Sequence, residues 1–161
     1  SNFLAKDTSP GAGPLDFHSG GFRAISNARF VARNENPFVL GTRAHHLAMY
    51  VVYENPMPMV ADSPAAYAGQ AGFDFLRDVP VTWDESRFVI GEAGEYVVMA
   101  RRSGDKWYLG GMTDWKRRQL DVPLGFLAVG RYLAKQYVDG SMDENEPNAL
   151  RIETLPVAKA D

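Results

Sequence analysis

Cysteine is absent from the 161 residues, which excludes structural disulfides, thiolate metal sites and a cysteine nucleophile. Long apolar runs are absent as well. The longest mostly apolar stretch, Leu47 to Val52, falls far short of the ~20 residues a bilayer crossing takes, and it is flanked by His46 and Glu54, so no membrane partner is expected. Positive charge is not in excess either: the net charge is -3 and the pI is near 5.6, which gives no reason to expect nucleic acid. One basic cluster, Lys116, Arg117 and Arg118, is short and follows Asp114. The opening "SNFLAKDTSPGAGP" lacks the basic start and apolar run of a signal peptide. It reads as a cytosolic chain or as an internal or mature piece of an exported one. Internal repeats and low-complexity tracts are missing too. What remains, 45% hydrophobic, 12% aromatic and 23% charged residues, is the balance of a soluble globular protein with a core of normal size.

The patterning changes near Val79. From Asn36 to Arg77 apolar residues come in helical blocks, and from Val81 to Leu155 they come in short alternating runs broken by Gly, Pro and Asp. A first helix is predicted to start after Thr42 as N-cap and to run through "RAHHLAMYVVYE" until Pro56 stops it. Ala44, Leu47, Ala48, Tyr50, Val51 and Val52 cannot share one face at 3.6 residues per turn, so this helix expects protein on most sides. A second helix is predicted from Ser63 and Pro64 through Phe75 and Leu76, weakened by Gly69 and Gly72. Beyond Val79 the alternation of "EYVVMARR" and "KWYLGGMT" predicts a hairpin. A turn at Gly104 and Asp105 would set Arg102 beside Trp107 and Ala100 beside Leu109. Further strands are predicted at Arg87 to Ile90, Gln119 to Val122, Arg131 to Val138 and Leu150 to Leu155, roughly six in all, the signature of a β-sandwich.

Few residues offer chemistry. Asp84 and Glu85 are adjacent, so on a strand they point to opposite faces and cannot act as a facing pair of carboxylates; strand-end hydrogen bonding suits them better. His45 and His46 diverge by about 100° on a helix and cannot readily share a metal. No Gly-x-Ser-x-Gly elbow is present, and "HSGG" at His18 to Gly21 reads as a turn with an exposed Ser19. The same piece lacks the Lys-Ser/Thr ending of a phosphate loop. Trp83, Trp107 and Trp115 could stack sugars on a sandwich face, although core packing is the expected fate of at least two of them.

Three stretches carry a resemblance. "GTRAHHLAMYVVYENPMPMVADSPAAY" resembles the end of the catalytic domain of glycoside hydrolase family 97, the family of bacterial α-glucosidases and α-galactosidases. "VPVTWDESRFVIGEAGEYVVMARRSGDKWYLGGMTDW" resembles the opening of that family's C-terminal β-sandwich, and "AGPLDFHSGGF" is similar to its Gly-Pro-Met-Asp-Tyr-Thr-Pro-Gly segment near the last barrel strand. The similarity runs from about Gly13 to Tyr137; "SNFLAKDTSP" departs from the family's Leu-Pro-Phe-Thr-Arg type of segment.

The resemblance implies an α+β fragment: residues 1–78 as the last strand and helices of a truncated (β/α)8 barrel, and residues 79–161 as a C-terminal antiparallel β-sandwich. It implies a parent enzyme acting on α-linked oligosaccharides, with this segment giving structural and oligomerisation support. The family's catalytic carboxylates, and the calcium bound in its inverting branch, fall upstream of Gly13, so no catalytic residue, metal ligand or cofactor is carried over. Asp16 alone is carried over as a substrate contact near the C-terminal rim of the barrel, its other reading being the cap of a turn before the glycines. A bacterial periplasmic or extracellular location and a homo-oligomer are further implications. A free-standing sandwich module for sugar binding or oligomer contacts is the alternative. On the fragment reading, Leu47, Tyr50, Val51 and Val52 are expected to lack the strands they would cover.

Overall fold

The computed structural model describes residues 18–160 apart from 56, 142 and 144, so Asp16 lies outside the described residues. Thr42 takes extended backbone, and its Oγ1 accepts a hydrogen bond from His45 N at 3.2 Å, which opens helix α1, Arg43–Val52. The helix ends at Val52, before Pro56, where Tyr53 turns extended and its N–H bonds Met49 O. The predicted second helix is two short ones, α2 at Pro64–Tyr67 and α3 at Phe73–Asp78. The physical reason is at its two glycines: Gly69 (φ 72°) and Gly72 (φ 90°) sit in left-handed backbone, which a continuous right-handed helix cannot contain. No helix among the described residues is long and apolar enough to cross a membrane.

Before residue 79 the strands are two residues long and pair in parallel: β1 (His18–Ser19) with β4 (Met59–Val60), and β2 (Ala24–Ile25) with β3 (Val39–Leu40). After it they are long and antiparallel. Strands β5 (Glu85–Glu92), β6 (Tyr96–Ser103) and β7 (Lys106–Thr113) form one sheet in that order, and β8 (Gly130–Asp139) pairs with β9 (Leu150–Lys159) in another. The β6–β7 hairpin has the predicted register, Arg102 opposite Trp107 and Ala100 opposite Leu109, closed over Gly104 at φ 58°. A bulge between Phe88 and Ile90 shifts the β5–β6 register. The strand predicted at Gln119 to Val122 does not form. Pro123 follows with no N–H to donate, and the segment leads into a turn in which Leu127 N bonds Leu124 O at 3.1 Å.

The core draws on both sides of residue 79. Phe22, Leu47 and Tyr67 are its buried centre, with Phe75, Leu76, Tyr137 and Leu150 packed against them. Phe22 meets Tyr67 edge-on at 5.0 Å and Phe75 meets Tyr137 at 5.3 Å. Asp74 on α3 ties to β8, accepting from Lys135 Nζ at 2.5 Å and Tyr137 Oη at 2.7 Å. The expectation that α1 lacks cover is overturned: Leu47, Val51 and Val52 are no more than 5% exposed, because α1 packs against Phe22 and Tyr67 through Leu47 and lies on β6 and β7. Tyr50 is half-buried, its hydroxyl 3.3 Å from Ser19 O and 3.2 Å from Met59 O.

Candidate functional site

One closely packed place in the molecule is where α1 sits on the sheet. Helices end with orphan carbonyls, and α1 has no basic residue in its last turn to meet them. The cation comes from β6 instead. Arg101, 3% exposed, donates from Nε to Val51 O at 2.6 Å, from Nη2 to Val52 O at 3.3 Å and from Nη1 to Ser86 Oγ at 2.9 Å. Burial works against its charge and Glu54 works for it. Beside it the sheet approaches the helix closely at Gly110, where a Cβ would lie 2.7 Å from Val51 Cβ and 3.1 Å from Ala48 O. Nothing in the sequence patterning flagged either residue. Arg101 reads as one more position in an alternating strand, and only its partners, 49 and 50 residues away, give it a role.

The residues singled out by sequence are placed as follows. Asp84 and Glu85 make strand-end contacts: Asp84 Oδ2 accepts from Gly104 N at 2.7 Å, and Glu85 meets Arg87 at 2.5 Å and Arg102 at 3.3 Å. The hydrogen bond from Arg87, joined by that from Arg102, holds the Glu85 carboxyl below the usual range, the wrong direction for a general acid. His46 is 6% exposed, and because Leu40 O can only accept, its Nε2 carries the proton of their 3.0 Å bond. Burial pushes its pKa down to about 4. His45 is also lowered by burial, opposed by Asp139. Their rings meet edge-on at 6.1 Å without converging on one point. Among the described residues no group of three His, Asp or Glu side chains is placed to hold a metal ion. Ser19 is not exposed as expected. It lies in β1 at 2% exposure, with its carbonyl taking Ala61 N at 3.1 Å.

Two tryptophans are half-buried rather than in the core, Trp83 against Tyr108 at 5.3 Å and Trp107 against Phe126 at 5.1 Å. Near the latter, Arg87, Phe88, Val89, Pro123, Gly125 and Phe126 line a hollow of about 200 Å³ that holds no carboxylate. Trp115 is different: it is 74% exposed, in the loop after β7. That loop is braced from within. Arg118 pairs with Asp114 and reaches Glu95 at 2.7 Å, Thr113 Oγ1 donates to Lys116 O at 2.9 Å, and Asp114 N bonds Glu95 O at 2.7 Å. The Arg118 hydrogen bond, aided by Lys116 N, holds the Asp114 carboxyl down at about 2.

Residues 82–161 match the sequence model of the family described as glycosyl-hydrolase 97 C-terminal, oligomerisation. A retaining α-galactosidase of Bacteroides thetaiotaomicron is 37% identical over 149 residues, 92% of this chain and 22% of that protein. A probable retaining α-galactosidase of a Streptomyces bingchenggensis strain is 32% identical over 129 residues, 80% of this chain and 19% of that protein. Among solved structures, a glycoside hydrolase family 97 enzyme of Pseudoalteromonas sp. strain K8 in complex with acarbose aligns with TM-score 0.77 at 34% identity, covering 93% of this chain and 24% of that one. The chain thus spans about a fifth to a quarter of the length of these relatives. It belongs to glycoside hydrolase family 97, as a C-terminal part.

Proposed function

We propose that the protein containing this segment hydrolyses α-linked galactosides or glucosides in the bacterial periplasm or outside the cell, and that the segment contributes oligomerisation and structural support rather than catalytic groups. The observation that carries this reading is the 37% identity to a retaining α-galactosidase across nearly the whole chain, together with the oligomerisation family over residues 82–161. In this reading residues 1–78 end a (β/α)8 barrel and residues 79–161 form a β-sandwich. The short parallel pairs before residue 79 and the long antiparallel ladders after it support the division. Asp16 would contact substrate from the barrel rim, with the catalytic carboxylates and any calcium ligands upstream.

Turnover of p-nitrophenyl α-galactoside and α-glucoside by the longer protein, set against the 161-residue chain, tests the reading. The longer protein should turn over one of the two and the chain neither, because glycoside hydrolysis takes two carboxylates held a fixed distance apart. Hydrolysis by the chain alone would overturn it. One observation favours a free-standing module instead: α1 finds its cover on this chain's own sheet. A coding sequence that starts near Ser1 would establish that alternative.

A further inference from the structure

The turn that leaves β1 is built for close approach. Gly20 sits at φ 72°, where an added Cβ would lie 2.5 Å from Tyr50 Oη, and a Cβ on Gly21 would lie 2.4 Å from Val39 Cγ1. The turn leads to Arg23, whose backbone is fixed before, at and after it: Phe22 O accepts from Arg43 Nη2 at 3.0 Å, Arg23 O accepts from Val39 N at 3.2 Å, and Asn148 holds both polar groups of Ala24. The side chain is held from another loop. Arg23 Nη1 lies 2.6 Å from Asp62 Oδ2 as an ion pair, and the Asp62 side chain is 5% exposed, a burial that a longer chain can only increase. Asp62 is fixed in turn, its Oδ1 accepting from Ser63 N at 2.7 Å and its N–H donating to Tyr67 Oη at 3.0 Å.

We propose that Arg23 donates to hydroxyl oxygens of the sugar substrate, and that Asp62 is the positioning residue that holds its guanidinium for that task. The inference rests on the barrel reading above and adds a contact to it. Place is the first argument. Strands β1 and β4 run parallel with α1 between them in sequence, and Arg23 and Asp62 stand in the two loops that leave their carboxyl ends, the end at which barrels and parallel sheets take their ligands. Energetics is the second: a buried ion pair is a weak source of stability beside an apolar pair of the same size, so packing alone does not call for these charges. Charge is the third. Asp62 offsets the charge that an anion would need from Arg23, so the pair suits a neutral ligand. The contact with Asp62 is made at Nη1, and a guanidinium carries five N–H donors, more than one carboxylate oxygen can use.

Steady-state kinetics of the longer protein on p-nitrophenyl α-galactoside and α-glucoside, with inhibition by free galactose and glucose and with melting curves as a folding control, tests this. Arg23→Met should raise KM and the inhibition constant of the free sugar at least tenfold while kcat changes little. Arg23→Lys should recover part of the loss, because it keeps the charge beside Asp62 without the fork. Asp62→Asn should move the same two constants by less, and should add little on top of Arg23→Met, because it acts through the arginine. Should Arg23→Met fail to fold, Arg23→Lys decides: a raised KM supports the contact and an unchanged one overturns it. Folded variants with wild-type KM and inhibition constants would overturn the inference while leaving the hydrolase reading standing. Effects of the two changes that simply add would overturn the positioning role of Asp62. A wild-type protein that hydrolyses neither glycoside would overturn the hydrolase reading and the inference with it.

Discussion

In β6–β7 and β8–β9 the backbone satisfies itself in ladders that run the full length of the strands, whereas between residues 18 and 78 strands of two residues leave part of that work to side chains. Arg43 donates to Phe22 O at 3.0 Å and Ala71 O at 3.4 Å, and His46 to Leu40 O at 3.0 Å. Several of the donors and acceptors are borrowed from the later half. Asn148 mimics a peptide unit against Ala24, accepting from its N–H at 2.8 Å and donating to its carbonyl at 2.9 Å, while Arg101 closes α1. The lesson is that the earlier half is ordered through the later one, and that the later half in turn uses α1 as a lid over its sheet.

The comparison breaks most visibly by deletion. A chain beginning at residue 79 loses α1, Phe22 and Tyr67, leaving Arg101 without carbonyl partners and opening Val97, Tyr137 and Leu150 to water. At about 1.5–3 kcal/mol per large apolar side chain, that loss is comparable to the stability of a small domain. Its melt should be broad, with hydrophobic dye bound at ambient temperature; a sharp melt equal to that of the whole chain would mean the later half stands alone.

Next comes acid. The folded state keeps His46 neutral down to about pH 4, while an unfolded histidine takes its proton near its ordinary value of 6.5. Between those values the unfolded chain binds the extra proton. The His46 contribution is therefore fully present above pH 6.5 and drains as pH falls toward 4, by about 3 kcal/mol. Urea unfolding of wild type and His46→Gln at pH 7 and pH 4 reads this as a change in their difference. A difference that does not vary with pH would mean the ring is as open to protons folded as unfolded.

Arg101→Met should cost about 1–3 kcal/mol by leaving the α1 carbonyls buried without donors. Arg101→Lys should recover only part of that, since an ammonium cannot reproduce the fork that reaches Val51, Val52 and Ser86 together. Equal stability of all three would show that water takes over the joint. The smallest effect is expected at Asn148→Ala, about 1 kcal/mol, with faster hydrogen exchange at the Ala24 amide and little change in β8–β9. Uniformly faster exchange would mean that the two halves open together.

How much of this was legible in the sequence follows from the range of the interactions. The β6–β7 register was readable because a turn at Gly104 and Asp105 fixes every pair after it, and the start of α1 because Thr42 acts on the third residue beyond it. The break between α2 and α3 was half-readable: Gly69 and Gly72 signalled weakness, but only their left-handed backbone turns weakness into interruption. Leu120 and Val122 alternate with polar residues as a strand would, yet no ladder reaches them. Ser19, Arg101 and Asn148 were opaque because their partners lie from 15 to 124 residues away, beyond any periodicity. Asp16, the substrate contact implied by resemblance, falls outside the described residues.

The Arg101 joint is unequal in what it asks of its two sides. On the sheet it demands one particular side chain, but on the helix it addresses main-chain oxygens, which every amino acid carries. Residues 51 and 52 can therefore drift among shapes that fit above Gly110 without severing the connection, whereas position 101 cannot drift at all. Helices of unrelated sequence could be exchanged at this seam so long as they end at the same height, which makes the sheet a socket for divergent helices.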